Sequence, residues 1–587
     1  MKRRLLPLVL AASVAACASV AQQENVPAEP ASAPAPTAAP ASAPVATPVP
    51  APEAAKASPL PAQELTAQIL YQFLLAEIAG TRGNITLAMD AYRDLARSTR
   101  DPRIAQRATQ IALFARRYEV ALDAARLWSE LDPESAQARQ MITSLLAAGA
   151  RPKELAENVA RQLAAEGPNL PNALLSLNRL LSRLPDKRQV LGIIEQVTTP
   201  YVGIAEAHFA RAVAAHGAQD ATRALGEAER AVALRPDWEQ AVLLRSQFQS
   251  RPEAIEGLRR FVAEHRPSRD LRQALARLYV AERRYAEGRQ EFVQLLAGAP
   301  DDTETIYALG VLSYQLQEPR EAERHFRRLI ELNYADTDSV RLYLGQLAED
   351  DKRWDEAIKW YEKVGPGEQY VAARLRHANV LARQGKLDAA LADLQAARAA
   401  HGEHGVKLLI GEAQLLREAG RSEAALAALD AGLAAQPDQP ELLYESALAA
   451  ERLGRIDIFE SRLNRLLQLK PDHAHAFNAL GYSLAERNLR LDEAQKLIEQ
   501  AQALAPDDPF ILDSKGWVLF RRGDAAGALD ALQRAFAIRS DPEIAAHLGE
   551  VLWTLNRRDE AARIWAEANK AHPGNEVLTA TIKRLQP

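Results

Sequence analysis

The chain has 587 residues, 48% of them hydrophobic and 25% charged, the balance of folded domains rather than of a disordered polymer. Lys plus Arg number 72 and Asp plus Glu 77, a net charge of −5 that excludes general nucleic-acid binding through a basic surface. A single cysteine excludes a disulfide framework and any zinc site built on paired thiolates.

Lys2, Arg3 and Arg4 precede an apolar run from Leu5 to Ala16. These twelve residues would span about 18 Å as a helix, short of the roughly 30 Å hydrocarbon core. Residues 1–16 therefore read as an export signal. Val14-Ala15-Ala16-Cys17 resembles a bacterial lipobox, in which a signal peptidase cuts before a cysteine that carries lipid through a thioether. The resemblance implies acylation of Cys17. Ala18, in place of an aspartate, implies the outer membrane, with the chain facing the periplasm. The competing reading is an ordinary signal with Cys17 incidental; the position of the lone cysteine favours lipidation. Residues 17–62 follow as a tether, with eleven prolines between Ala18 and Pro61. Proline removes amide donors and favours extended backbone, so no packed core is expected there.

After Gln63 the apolar residues take helical spacing. Phe477, Leu480, Gly481 and Leu484 form one stripe, and Ala494, Leu497, Ile498 and Ala501 another after a polar break. Each unit is thus predicted to be a helix, a short turn and a second helix, with no strand. Small residues recur at Gly310, Gly345, Ala378, Ala413, Ala447, Gly481, Gly516 and Gly549, spaced 35, 33, 35, 34, 34, 35 and 33. A second series runs Ala322, Ala357, Ala390, Ala425, Phe459, Ala494, Ala528, Ala561. A large side chain at these positions would force the two helix axes apart. Phe459 breaks the series, and local distortion is expected in its unit.

This pattern resembles the tetratricopeptide repeat. The resemblance implies an all-α superhelical solenoid of about 14–15 helix–turn–helix units, whose first helices line a concave groove. Residues 63–300 hold less regular units, with 164–204 and 246–268 fitting least well; residues 301–573 hold regular ones. Residues 574–587 contain a predicted capping helix, with Val577, Leu578 and Ile582 on one side.

The repeat phase places Tyr482, Phe510, Asp513, Trp517, Phe520 and Trp553 toward the groove. Rigid aromatic surfaces anchor partners at modest entropy cost, so these residues are the candidate protein-binding patch. The alternative is that Trp517 and Trp553 pack between helices. Further back, Tyr307, Tyr314, Gln346, Glu349 and Asp350 give a more acidic lining, read either as steering a basic partner or, the favoured reading, as an ordinary solvated face. Catalytic signals are weak. Gly481-Tyr482-Ser483-Leu484-Ala485 lacks the second glycine of a nucleophile elbow, and Gly385-Lys386 lacks a phosphate-cradling loop. Gly385 is better explained as a turn. His473 with His475, and His401 with His404, have no third ligand nearby in sequence and read as exposed turn histidines. No enzyme activity, cofactor or metal is expected.

The runs Asp513–Phe520 and Asp541–Trp553, with Leu74–Gly80 near the start of the array, resemble a group of proteobacterial tetratricopeptide lipoproteins. One kind in that group is the adaptor of a periplasmic carboxy-terminal processing protease. The resemblance implies binding of that serine protease and of substrates that include cell-wall hydrolases. A scaffold for outer-membrane, pilus or exopolysaccharide export assembly is the alternative.

Overall fold

A computed structural model describes residues 63–585, apart from 150 and 183. The export signal, Cys17 and the tether lie outside the described residues. Among the described residues the protein is all-α, with thirty-one α-helices and no strand. Fifteen consecutive helix–turn–helix pairs run from Ala67 to Ala571, and Glu576–Leu585 follows alone. The chain divides into two compact units, one ending at Gln317 and the other running from Glu318.

The helices begin and end where local chemistry dictates. Asp508 precedes Pro509–Arg521 and accepts hydrogen bonds from the Phe510 and Ile511 amides at 2.9 and 3.1 Å. Pro509 fills the first helical position, where its missing N–H costs nothing. Asp541 and Pro542 repeat the arrangement at Pro542–Thr554. Between Tyr370–Arg383 and Leu387–Ala400 the turn falls on Gly385, whose φ of +79° suits glycine.

The first unit is least regular where the periodicity is weakest. Helices Leu170–Leu180 and Lys187–Thr198 have 11 and 12 residues and are flanked by the short 3-10 turns Gly167–Asn169 and Thr199–Tyr201. Leucines compensate there: Leu155, Leu174, Leu177 and Ile194 are fully or almost fully buried in one cluster. Glu239–Ser246 is shorter still, at 8 residues.

In the second unit the pairs close on small residues. A Cβ added at Gly345 would stand 2.3 Å from the Tyr361 ring, and one at Gly516 2.5 Å from Leu532. At Gly481 it would stand 2.8 Å from Ile498, and at Gly549 2.0 Å from Trp565. The glycine of the first helix thus receives a bulky residue of the second. Ala494, Ala528 and Ala561 are fully buried on the second helices; Gly310, in the first unit, is buried as well. Phe459 is accommodated without interrupting its unit. Pro440–Arg452 and Ile456–Leu469 keep 13 and 14 residues, and the ring is fully buried with Leu443, Ala447 and Leu480. The last helix, Glu576–Leu585, starts where Asn575 accepts from the Leu578 amide at 2.9 Å, and Leu578 joins the core around Trp565.

Candidate partner-binding face

Three successive first helices, Ala474–Glu486, Pro509–Arg521 and Pro542–Thr554, supply the candidate residues. Residues one repeat apart occupy equivalent positions, so Asp513 and His547, 34 residues apart, meet across adjacent pairs. His547 Nδ1 lies 2.9 and 3.0 Å from the two Asp513 oxygens, and both side chains are buried. The Trp517 ring stacks on the His547 ring with centroids 4.3 Å apart and planes at 23°. Its Nε1–H donates to Glu486 Oε2 at 2.7 Å. Trp517 is only 4% exposed. The indole therefore belongs to the core between pairs, and Asp513 is spent on His547. These two residues support the face from beneath rather than offering surface to a partner, which corrects their assignment as contacts.

The other four candidates keep access to solvent. Phe510 is 40% exposed, with Arg539 over its ring at 5.0 Å. Phe520 is half-buried against Trp517, with centroids 5.5 Å apart. Trp553 is half-buried between Trp565, 5.8 Å away, and Arg558, 5.0 Å above its ring. Tyr482 is half-buried 6.1 Å from His547, and burial pushes its phenol up from the ordinary range. A further carboxylate of this region, Glu550, is buried and paired with Arg584 of the last helix.

His547 and Glu486 were not among the sequence candidates, although both stand in register with those that were. Burial opposes charge on His547. The Asp513 carboxylate at its Nδ1, with Glu486 and Glu550 beyond, outweighs that and holds the imidazole above its ordinary range. The unfolded value is about 6.5, so the pair's contribution is complete below about pH 6.5 and is lost as pH rises through the folded pKa. The melting temperature should accordingly fall from pH ~6 to pH ~9, and His547→Gln should flatten the slope. Equal slopes in the two proteins would trace the pH dependence to other groups.

Two further expectations need correction. Glu349 does not lie on a solvated face. It is buried, accepts from the Tyr361 hydroxyl at 2.9 Å, and pairs with Arg376 at 3.1 Å and Arg383 at 3.2 Å. Of the turn histidines His475 is exposed, with 52% of its side chain open to solvent, but His473, His401 and His404 are not simply so. His473 Nδ1 accepts from the Ala476 amide at 3.1 Å as a helix cap, and its ring lies 5.3 Å from Tyr444. His401 and His404 pack on Tyr370, with centroids 4.8 and 5.6 Å away. Among the described residues no group of three or more His, Cys, Asp or Glu is placed to hold a metal ion.

The model of a tetratricopeptide-repeat family matches residues 307–370 and 410–457. A TPR repeat-containing protein of Pseudomonas aeruginosa is 32% identical over 540 residues, covering 90% of this chain and 90% of its own. Among solved structures, a tetratricopeptide repeat protein from Parabacteroides merdae is 17% identical with a TM-score of 0.33, covering 49% of this chain and 99% of its own. Naa15/Naa10 bound to HypK is 14% identical with a TM-score of 0.32, covering 88% of this chain and 96% of that one. Identity of this extent over nine-tenths of both sequences places the chain in the tetratricopeptide-repeat family.

Proposed function

We propose that the chain is a non-enzymatic scaffold, anchored to the outer membrane through lipid on Cys17, that recruits a periplasmic protease and its cell-envelope protein substrates. Tetratricopeptide-repeat proteins act as protein-interaction scaffolds, and this chain is one of them. The observation that carries the reading here is the set Tyr482, Phe510, Phe520 and Trp553: four part-exposed aromatics on consecutive first helices, of which Tyr482 and Phe520 rest on the buried His547 and Trp517 rings. Rigid rings backed by a fixed polar network lose little entropy on binding. The choice of a carboxy-terminal processing protease rests on the resemblance of Asp513–Phe520 and Asp541–Trp553 to the lipoprotein adaptors. A tethered array holding protease and substrate together would raise their effective concentration without doing chemistry itself.

Affinity capture of envelope proteins on the array, followed by mass spectrometry, tests this. Retention of a PDZ-bearing serine protease with cell-wall hydrolases is expected. Retention of barrel or polysaccharide-export components without a protease would favour the assembly scaffold instead. The anchor is tested separately: Cys17→Ala should abolish palmitate labelling and release the protein from the outer-membrane fraction. Unchanged membrane retention of that variant would refute lipid anchoring at this position.

A further inference from the structure

The first described helix, Ala67–Thr81, is apolar on nearly every side and contains neither Lys nor Arg; only Ala76 and Ala79 on it are buried. Leu70, Leu74 and Ile78 stand four apart on one ridge and are 42%, 47% and 49% exposed, with Tyr71 beside them at 66%. In a stacked repeat array such a ridge is covered by the neighbouring pair, and a terminal repeat needs a polar outer face. The last helix meets that need by burying Leu578 and carrying Lys583 and Arg584 in its final turn. Helix Ala67–Thr81 does not.

The size and charge of this face indicate what covers it. With Leu65, Phe73 and Leu87 alongside, its exposed side chains present about 700 Å² of surface per copy, taking about 200 Å² for a large side chain. Two such faces together would bury about 1,400 Å², above the ~1,000–1,200 Å² of a stable interface. Glu77 is occupied by the Tyr92 hydroxyl and by Arg107, so the face does not set like charges against itself. The lack of basic residues sets it apart from helices that lie on anionic membranes, which are rich in Lys and Arg. A ridge of residues four apart can pack against its own copy across a two-fold axis. We propose that Ala67–Thr81 is the interface of a homodimer, formed by the same helix of a second copy with Leu74 nearest the axis.

Site-specific crosslinking of the full chain tests this, because Cys17 is its only natural cysteine. With a short thiol-reactive crosslinker on intact cells, Leu74→Cys should give a covalent dimer. The wild-type chain and Leu489→Cys, at a position 49% exposed in the other unit, should not. Adding Leu70→Glu to Leu74→Cys should reduce the dimer at least tenfold without lowering the melting temperature, since Leu70 lies on the surface. Absence of dimer from Leu74→Cys, equal yield from Leu489→Cys, or indifference to Leu70→Glu would each overturn the proposal. Labelling of Leu74→Cys by a lipid-soluble reagent without dimer formation would overturn it in favour of a bilayer contact.

Discussion

Gly549→Ala is expected to destabilise the C-terminal end of the array by about 3 kcal/mol, at the upper end of the cost of overpacking a core. The added methyl would stand 2.0 Å from Trp565 Nε1 and 2.3 Å from Cε2, closer than any real contact. Trp565 is 2% exposed and packed with Leu548, Leu552, Ala561 and Leu578, so its ring has no free space to enter. Relief would require moving Arg558–Ala571 away from Pro542–Thr554. The loss should appear as a lower first melting transition and as faster hydrogen exchange in Arg558–Leu585 than elsewhere, because each repeat contacts only its neighbours. Trp565→Leu in the same chain should restore part of the stability, so that the double variant loses less than the sum of the singles. Strict additivity would mean that the two residues do not collide. Gly226→Ala makes the contrast. That glycine lies inside Ala221–Leu234 with open space around the added carbon, and the change should stabilise by about 0.5–1 kcal/mol.

These opposite expectations for one residue type show what the sequence can carry. The repeat period is written in the small residues, and the helix pairs follow from it because close approach at Gly345, Gly481, Gly516 and Gly549 is a local steric condition. The bulky complement is also in the text: Tyr361 and Trp565 each stand sixteen residues after the glycine they fill. Phe459 was harder to read. Its size argues for distortion, yet the space it occupies is made jointly by Ala447 in its own pair and by Leu480 and Ala476 in the next. The short helices around Leu170–Leu180 escaped the period because leucine packing, rather than a small-residue seam, holds them. The candidate face was legible only in outline. Phase placed Trp517 on a first helix, but its burial depends on His547 and Glu486, one repeat to either side. A pattern within one helix does not contain that information; the pairing of Asp513 with His547 at one full period does.

The second large effect follows from that burial. Trp517→Ala is expected to cost about 3–5 kcal/mol, the range for truncating a buried tryptophan. It removes the stack on His547, exposes the Asp513–His547 pair to rearrangement, and leaves Glu486 without the indole N–H that it accepts at 2.7 Å. Trp517→Phe separates these contributions. It keeps most of the stacking surface but loses the hydrogen bond and leaves a small void in a buried site, at about 1–3 kcal/mol. Phe510→Ala should behave differently: at 40% exposure, with Arg539 over its ring, it should shift the melting temperature little. On the proposed binding role, Phe510→Ala should nevertheless weaken partner capture severalfold, because an exposed aromatic supplies contact area rather than core. Capture and melting temperature measured together on the three variants therefore discriminate between support and contact. If Trp517→Ala lowered capture with an unchanged melting temperature, the indole would be a contact residue after all. If Phe510→Ala lost stability with no loss of capture, the exposed ring would belong to the fold, and the binding face would have to be sought on other helices.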